Sequence, residues 1–176
     1  IRKIFKDSRS LLWIGTDDGL SCFDGHKFIN YSAIDGLEGN KIWAITEDKN
    51  GNIWLGSYGR GISVFDGEKF TLYNTSNGEF PCDQIRCLKT FPNTELVFIG
   101  TEKGAFIYDG QSFSKIKGLP VNRFGLTRVM DFEMMDGKII IALYQNDALH
   151  YFDPLTNECK RLVNNKNTFL KPKDTD

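Results

Sequence analysis

The sequence predicts an all-β protein built as blades of a β-propeller, and three observations carry that prediction. An apolar segment ending in glycine recurs: Leu12-Trp13-Ile14-Gly15, Ile53-Trp54-Leu55-Gly56, Val97-Phe98-Ile99-Gly100 and, with the glycine lost, Ile139-Ile140-Ile141-Ala142. A second phrase follows at a nearly constant distance, as Gly19-Leu20-Ser21-Cys22-Phe23-Asp24-Gly25, Gly61 to Gly67, Gly104 to Gly110 and, with slippage, Ala148 to Pro154. The repeat length of about 42 residues, rich in short β-type runs, is that of one four-stranded blade. Composition agrees: 13% of the residues are aromatic, with 14 Phe, a load suited to packed sheet faces rather than to disorder.

Each element of a blade is justified by its residues, most clearly in the second copy. Lys41 to Glu47 is β-rich and is closed by the turn-forming Asp48-Lys49-Asn50-Gly51. Asn52 to Ser57 is the second strand; Gly61 to Phe65, the third, ends in Asp66-Gly67, a favoured hairpin dipeptide. Lys69 to Tyr73 alternates as a fourth strand. No helix is required. First strands are expected to start at Ile1, Ile42, Ile85 and Val129, and fourth strands to centre on Phe28, Phe70, Phe113 and Leu162. The expected division is four blades over 1–164 (1–38, 39–80, 81–120 and 121–164), then a polar tail, 165–176. The chain opens on Ile rather than Met, and four blades are few, so the expectation is a fragment of a larger propeller.

The repeated residues have structural roles in this reading. Trp13, Trp54 and Phe98 fill the gap between neighbouring blades, Gly15, Gly56 and Gly100 permit close approach, and Asp24, Asp66 and Asp109 serve turns. Cys22, Cys82, Cys87 and Cys159 form no Cys-x-x-Cys pair and have only His26 and His150 as possible companions, which favours structural thiols over a metal site; Cys82 with Cys87 is the locally plausible bridge. Asp48, Asn50 and Asn52 imitate the start of a calcium loop, but Gly59 stands where the bidentate acid belongs, so a strand turn is favoured.

Function classes are narrowed in the same way. A formal net charge of −1 offers no bulk attraction to nucleic acid or to an acidic membrane, and no apolar run reaches bilayer-spanning length. No nucleophile elbow, phosphate-binding glycine loop or His-Glu-x-x-His motif is present, so neither a catalytic residue nor a cofactor or metal is expected; a carboxylate-pair glycosidase stays open on counting alone. Variation between repeats concentrates in the loops after the second strands and between blades. There Tyr58 with Arg60, Arg123 with Phe124, and Tyr144 with Gln145 each set an aromatic face beside hydrogen-bonding groups, as sugars require. The second residues of the first strands, Arg2, Trp43, Arg86 and Met130, fall near the mouth of the central channel. Two arginines are costly to bury unpaired, which makes Arg86 a ligand candidate whose removal should leave stability almost unchanged.

The second blade, with Ile42-x-x-Ile45-x-Glu47-Asp48, Gly51-x-Ile53-Trp54-Leu55-Gly56-Ser57, Gly59-x-Gly61-x-x-x-Phe65-Asp66 and Phe70-x-x-Tyr73, resembles the two-component regulator propeller repeat. The resemblance covers about residues 1–164, strong in the first two blades and weakest in the fourth. It implies an extracytoplasmic (periplasmic) sensor segment of a membrane-anchored bacterial regulator, often a hybrid histidine kinase of Bacteroidetes, that recognises a glycan-derived oligosaccharide without transforming it. A protein-interaction scaffold is the alternative, and a carbohydrate-active enzyme the third reading. A partial ring also exposes two blade faces, to be met by compact closure of four blades, by the remaining blades of a parent protein, or by self-association, which is favoured for the isolated segment.

Overall fold

A computed structural model describes residues 1–92, 94–144 and 149–162. They form four separate antiparallel sheets of four strands, each in simple sequence order. The first holds β1 (Lys3–Lys6), β2 (Leu12–Gly15), β3 (Leu20–Phe23) and β4 (Phe28–Tyr31). The second holds β5 (Ile42–Glu47), β6 (Ile53–Ser57), β7 (Gly61–Phe65) and β8 (Phe70–Tyr73). β9 (Ile85–Thr90), β10 (Val97–Thr101), β11 (Gly104–Tyr108) and β12 (Phe113–Lys115) make the third. The fourth is β13 (Val129–Met135), β14 (Lys138–Leu143), β15 (His150–Asp153) and β16 (Glu158–Arg161). Successive first strands lie beside one another, β1 by β5, β5 by β9 and β9 by β13, so the sheets fan out as blades of a propeller arc.

Several boundaries differ from the sequence expectation. The first strand begins at Lys3, because Ile1 is exposed and has no blade behind it. The last strand ends at Arg161 rather than centring on Leu162, since the Asp153 to Asn157 turn is short and returns the chain early. A single helical turn, Ala33–Asp35, appears in the first inter-blade linker, held by reciprocal bonds between Ser32 and Asp35. Residues 163–176, including the expected polar tail, and Gln145 lie outside the described residues.

Three apolar cores, one per junction, hold the blades together. Each is led by the repeated aromatic of the earlier blade. Trp13 packs on Tyr31 of its own blade and on Phe65 of the next; Trp54 packs on Tyr73 and Tyr108; Phe98 packs on Phe91, Phe132 and Phe152. The aromatic before each turn aspartate is therefore the lid on the preceding blade's large residue. The glycines fit the same junctions: a Cβ on Gly56 would lie 2.5 Å from Ile85 Cγ2, and one on Gly15 would lie 2.8 Å from Ile42 Cγ2. On Gly100 it would collide with Cys87 Sγ and approach Val129 Cγ1 to 2.8 Å. What approaches is chiefly the first-strand side chain of the following blade. All four cysteines are free thiols, and burial raises the thiol pKa of Cys22, Cys87 and Cys159.

The two junction tryptophans, Trp13 and Trp54, also carry a polar device that the repeat pattern did not reveal. Trp13 Nε1 donates to Asp7 Oδ2 at 3.0 Å, and Trp54 Nε1 donates to Asp48 Oδ2 at 2.9 Å. The other oxygen of each aspartate accepts backbone N–H groups of its turn, from Arg9 and Leu11 or from Asn50 and Asn52. Asp48 is thus engaged as a turn and indole acceptor, and among the described residues no cluster of three or more His, Cys, Asp or Glu is placed to hold a metal. In the third blade Pro92 stands six residues before Phe98, so the acceptor is lost together with the indole.

Candidate functional site

At the end of the arc where second strands turn into third strands, the first three blades each set two equivalent positions side by side. One is the second residue of the first strand or the residue before it, the other lies one residue past the second strand, or two in the first blade. The pairs are Arg2 with Asp17, Trp43 with Tyr58, and Arg86 with Glu102; Met130 and Tyr144 hold the same repeat positions in the fourth blade. Arg2 Nε donates to Asp17 at 2.9 Å, and this contact raises the guanidinium pKa and lowers that of the carboxyl. Trp43 and Tyr58 stack with ring centroids 4.5 Å apart and 17° between planes. Arg86 Nε donates to Glu102 Oε1 at 2.5 Å.

The pairs are joined across the junctions into one strip. The Arg2 guanidinium lies 5.4 Å from the Trp43 ring centroid, and that of Arg86 lies 6.0 Å from the Tyr58 ring. Tyr58 Oη donates to Glu102 at 3.4 Å, and Arg86 reaches Met130 Sδ at 3.6 Å. Glu102 is shared: Arg128 Nε sits 2.7 Å from its second oxygen, and the Arg128 guanidinium lies 5.6 Å from the Tyr144 ring. One carboxylate, only 10% exposed at its side chain, therefore answers two guanidiniums. Cations over ring faces gain from the ring quadrupole and keep a planar donor exposed at its edge.

The structure brings Tyr58, Arg86 and Tyr144 into this strip. Arg86 is not the spare cation the sequence implied: it holds a carboxylate that is nearly out of water, so its removal touches the packing of the rim. Arg60 lies off the strip, beside Tyr58, on a cavity it shares with Glu38 and Lys41. Arg123 and Phe124 pair with each other, 4.8 Å from guanidinium to ring centroid, on the exposed linker before the fourth blade, apart from the strip. Glu102, Arg128, Trp43 and Asp17 complete the strip and were not singled out as ligand residues. Aligning the residue after each second strand (Asp17, Tyr58, Glu102, Tyr144) against the first-strand set would have exposed the pairing.

Electrostatics at the other end are of a different kind. Asp24, Asp66 and Asp109 each accept two backbone N–H groups of their own hairpin turns, which lowers their pKa values. Those carboxylates are committed to turns.

No curated protein matches the chain significantly. Solved structures do. The extracellular domain of a putative one component system from B. thetaiotaomicron is similar with a TM-score of 0.70 and 24% identity, over 92% of this chain and 25% of that one. The extracellular domain of a putative hybrid two component system from the same organism gives a TM-score of 0.72 at 19% identity, over 92% of this chain and 24% of that one. Virginiamycin B lyase from Staphylococcus aureus reaches a TM-score of 0.70 at 11% identity, over 90% of this chain and 53% of that one. The chain thus spans about a quarter of the length of the two extracellular domains, and at these identities the likeness establishes the propeller fold. No helix among the described residues is long and apolar enough to cross a membrane. Residues 36–59, from the end of the first linker to just past the second strand of the second blade, match the model of the two component regulator propeller family.

Proposed function

We propose that the chain is a ligand-sensing segment of a bacterial two-component signalling protein, facing the extracytoplasmic side, which binds a glycan-derived oligosaccharide without transforming it. The observation that carries this reading is the rim strip. It offers partly exposed aromatic residues at Tyr58 and Tyr144 beside planar donors at Arg2, Arg86 and Arg128, the combination that sugar CH faces and hydroxyls select. The match of residues 36–59 to the two component regulator propeller supports the signalling context. In this reading the blades divide near residues 38, 80 and 120, and further blades, from a parent protein or a second copy, cover the two open faces. A ligand lying across several blades biases the arc between arrangements, and an attached kinase reads the difference.

The test is a calorimetric titration of the chain with a panel of glycan-derived oligosaccharides, repeated on Tyr58→Leu. The expected result is saturable binding to one sugar class, weakened about tenfold by loss of the ring hydroxyl and its stack, which corresponds to roughly 1.4 kcal/mol. Ligand recovered unaltered after incubation supports binding without turnover. Absence of heat with every sugar, together with tight capture of a defined protein, would instead establish the scaffold reading.

A further inference from the structure

We infer that the cavity on the loop-bearing end of the fourth blade is a site for the carboxylate of an acidic sugar, a uronate. The inference rests on the oligosaccharide reading above and names the class of ligand for one part of that face. The cavity measures about 320 Å³ and is lined by Arg128, Arg161, His150, Tyr144 and Asn122 among its polar residues, with Leu143 and Leu126 among its apolar ones. Among the described residues no carboxylate lines it. A chain with net charge −1 has thus gathered two arginines and a histidine around one space, while Asp24, Asp66 and Asp109 are held in hairpin turns.

The walls are built rather than incidental. His150 and Arg161 are directly opposed partners on β15 and β16, so their side chains leave the same face of the sheet about 5 Å apart at Cβ. Tyr144 N donates to Arg128 O at 2.9 Å, tying the end of β14 to the start of β13. The linker wall is pinned by Asn122 Oδ1, which accepts from Phe124 N and Leu126 N, and by Thr127 Oγ1, which donates to Pro120 O at 2.8 Å. Arg128 already shares Glu102 with Arg86, which leaves that trio with one surplus positive charge. Arg161 makes no ion pair among the described residues and is exposed at the mouth. A carboxylate entering here meets a planar, forked donor at Arg161 and a second guanidinium at Arg128, while the ring that bears it lies along Tyr144. Planar guanidinium forks match carboxylates in two-point contact, and a neutral sugar has no equivalent to offer them. Lys115 and Lys117 line an adjoining cavity that shares Val121 and Thr127 with this one, so positive charge continues toward the third blade and suits a chain of more than one acidic residue.

The experiment titrates the 176-residue chain with digalacturonate, with the neutral digalactose and with acetate, at two salt concentrations, and repeats the series on Arg161→Gln and Arg161→Lys. Arg161 sits exposed at a strand end, so both variants are expected to keep the wild-type circular dichroism spectrum. The expected outcome is digalacturonate binding at least tenfold tighter than digalactose, weakened by salt, lost by tenfold or more in Arg161→Gln and partly restored in Arg161→Lys. Equal affinity for the two disaccharides would overturn the acidic class while leaving the oligosaccharide reading intact. Competition by acetate at the same concentration as the uronate would reduce the cavity to a simple anion site and overturn the sugar assignment. Unchanged uronate binding in Arg161→Gln, or no uronate binding at all, would remove the site.

Discussion

One repeat position, read in four blades, separates the interior of the arc from its edge. Ile45, Leu88 and Phe132 pair with the central apolar residue of the second strand in blades two to four and are 2%, 4% and 1% exposed; Ile4 does the same in blade one and is 53% exposed. The sequence choice is the same, and only the presence of a preceding blade differs. Ile14 likewise is only half-buried where Leu55, Ile99 and Ile141 are fully buried. The three cores join consecutive blades, and none unites the fourth with the first, so the described residues form an open arc and not a compact closure. A blade face is apolar by design of the repeat, and its stability contribution belongs to a junction rather than to a blade.

The comparison breaks first at the junction aromatics. Trp54, 2% exposed and surrounded by Tyr73, Tyr108 and Phe113, loses both its apolar area and its bond to Asp48 in Trp54→Ala, with an expected cost of about 3 to 5 kcal/mol. Chemical denaturation measures it, and a loss below about 1 kcal/mol would refute the packing role. Next, Ile45→Ala should cost about 2 to 5 kcal/mol, whereas Ile4→Ala should cost less than about 1 kcal/mol in the monomer because little area is lost there. If Ile4→Ala becomes as costly as Ile45→Ala at high protein concentration, a second copy covers the first blade's face.

How much of this was legible in the sequence follows from what repetition can encode. The blade architecture, the turn aspartates and the glycine two residues after Trp13, Trp54 and Phe98 recur, and recurrence reports a constraint that the blades share. The indole acceptors Asp7 and Asp48 also recur, but only twice, and Pro92 breaks the pattern at the blade where Phe98 removes the donor. The rim is the opposite case. Its positions repeat while its residues do not, so Glu102 between Arg86 and Arg128 is visible only once the third and fourth blades are set in space. Arg86 was read as a free cation because its partner lies in the turn beyond the neighbouring strand, sixteen residues on.

A smaller effect separates the first blade from the third through pH. Burial alone would push the Asp7 carboxyl up, yet the bonds it accepts from Trp13, Leu11 and Arg9 outweigh that and hold it below the ordinary 3.8. Because the folded value is the lower one, its stabilisation is complete above about pH 4 to 5 and fades as pH falls through the folded value. Asp7→Asn should therefore cost about 1 to 2 kcal/mol at pH 7 and flatten the decline of stability between pH 5 and 3. Equal slopes in wild type and variant would show that the carboxylate charge plays no part.

The finest test concerns the position two residues after each junction aromatic. Gly56→Ala forces a methyl group to within 2.5 Å of Ile85 Cγ2 and should cost about 1 to 3 kcal/mol, relieved by pairing it with Ile85→Ala. Ala142 holds the same place in the fourth blade, where no following first-strand side chain packs among the described residues. Ala142→Gly removes one methyl group and loosens the unfolded chain, so it should cost less than about 1 kcal/mol in the isolated arc. Its interest lies in association. A blade docking on this face in the geometry of the three internal junctions would bring an Ile or Val side chain onto the Ala142 methyl group. Ala142→Gly should therefore strengthen any docking of that kind, read as a rise in mass by light scattering at micromolar concentration. An unchanged or reduced mass would mean that whatever covers the fourth blade meets it in a different geometry, or that the methyl group is itself part of the contact.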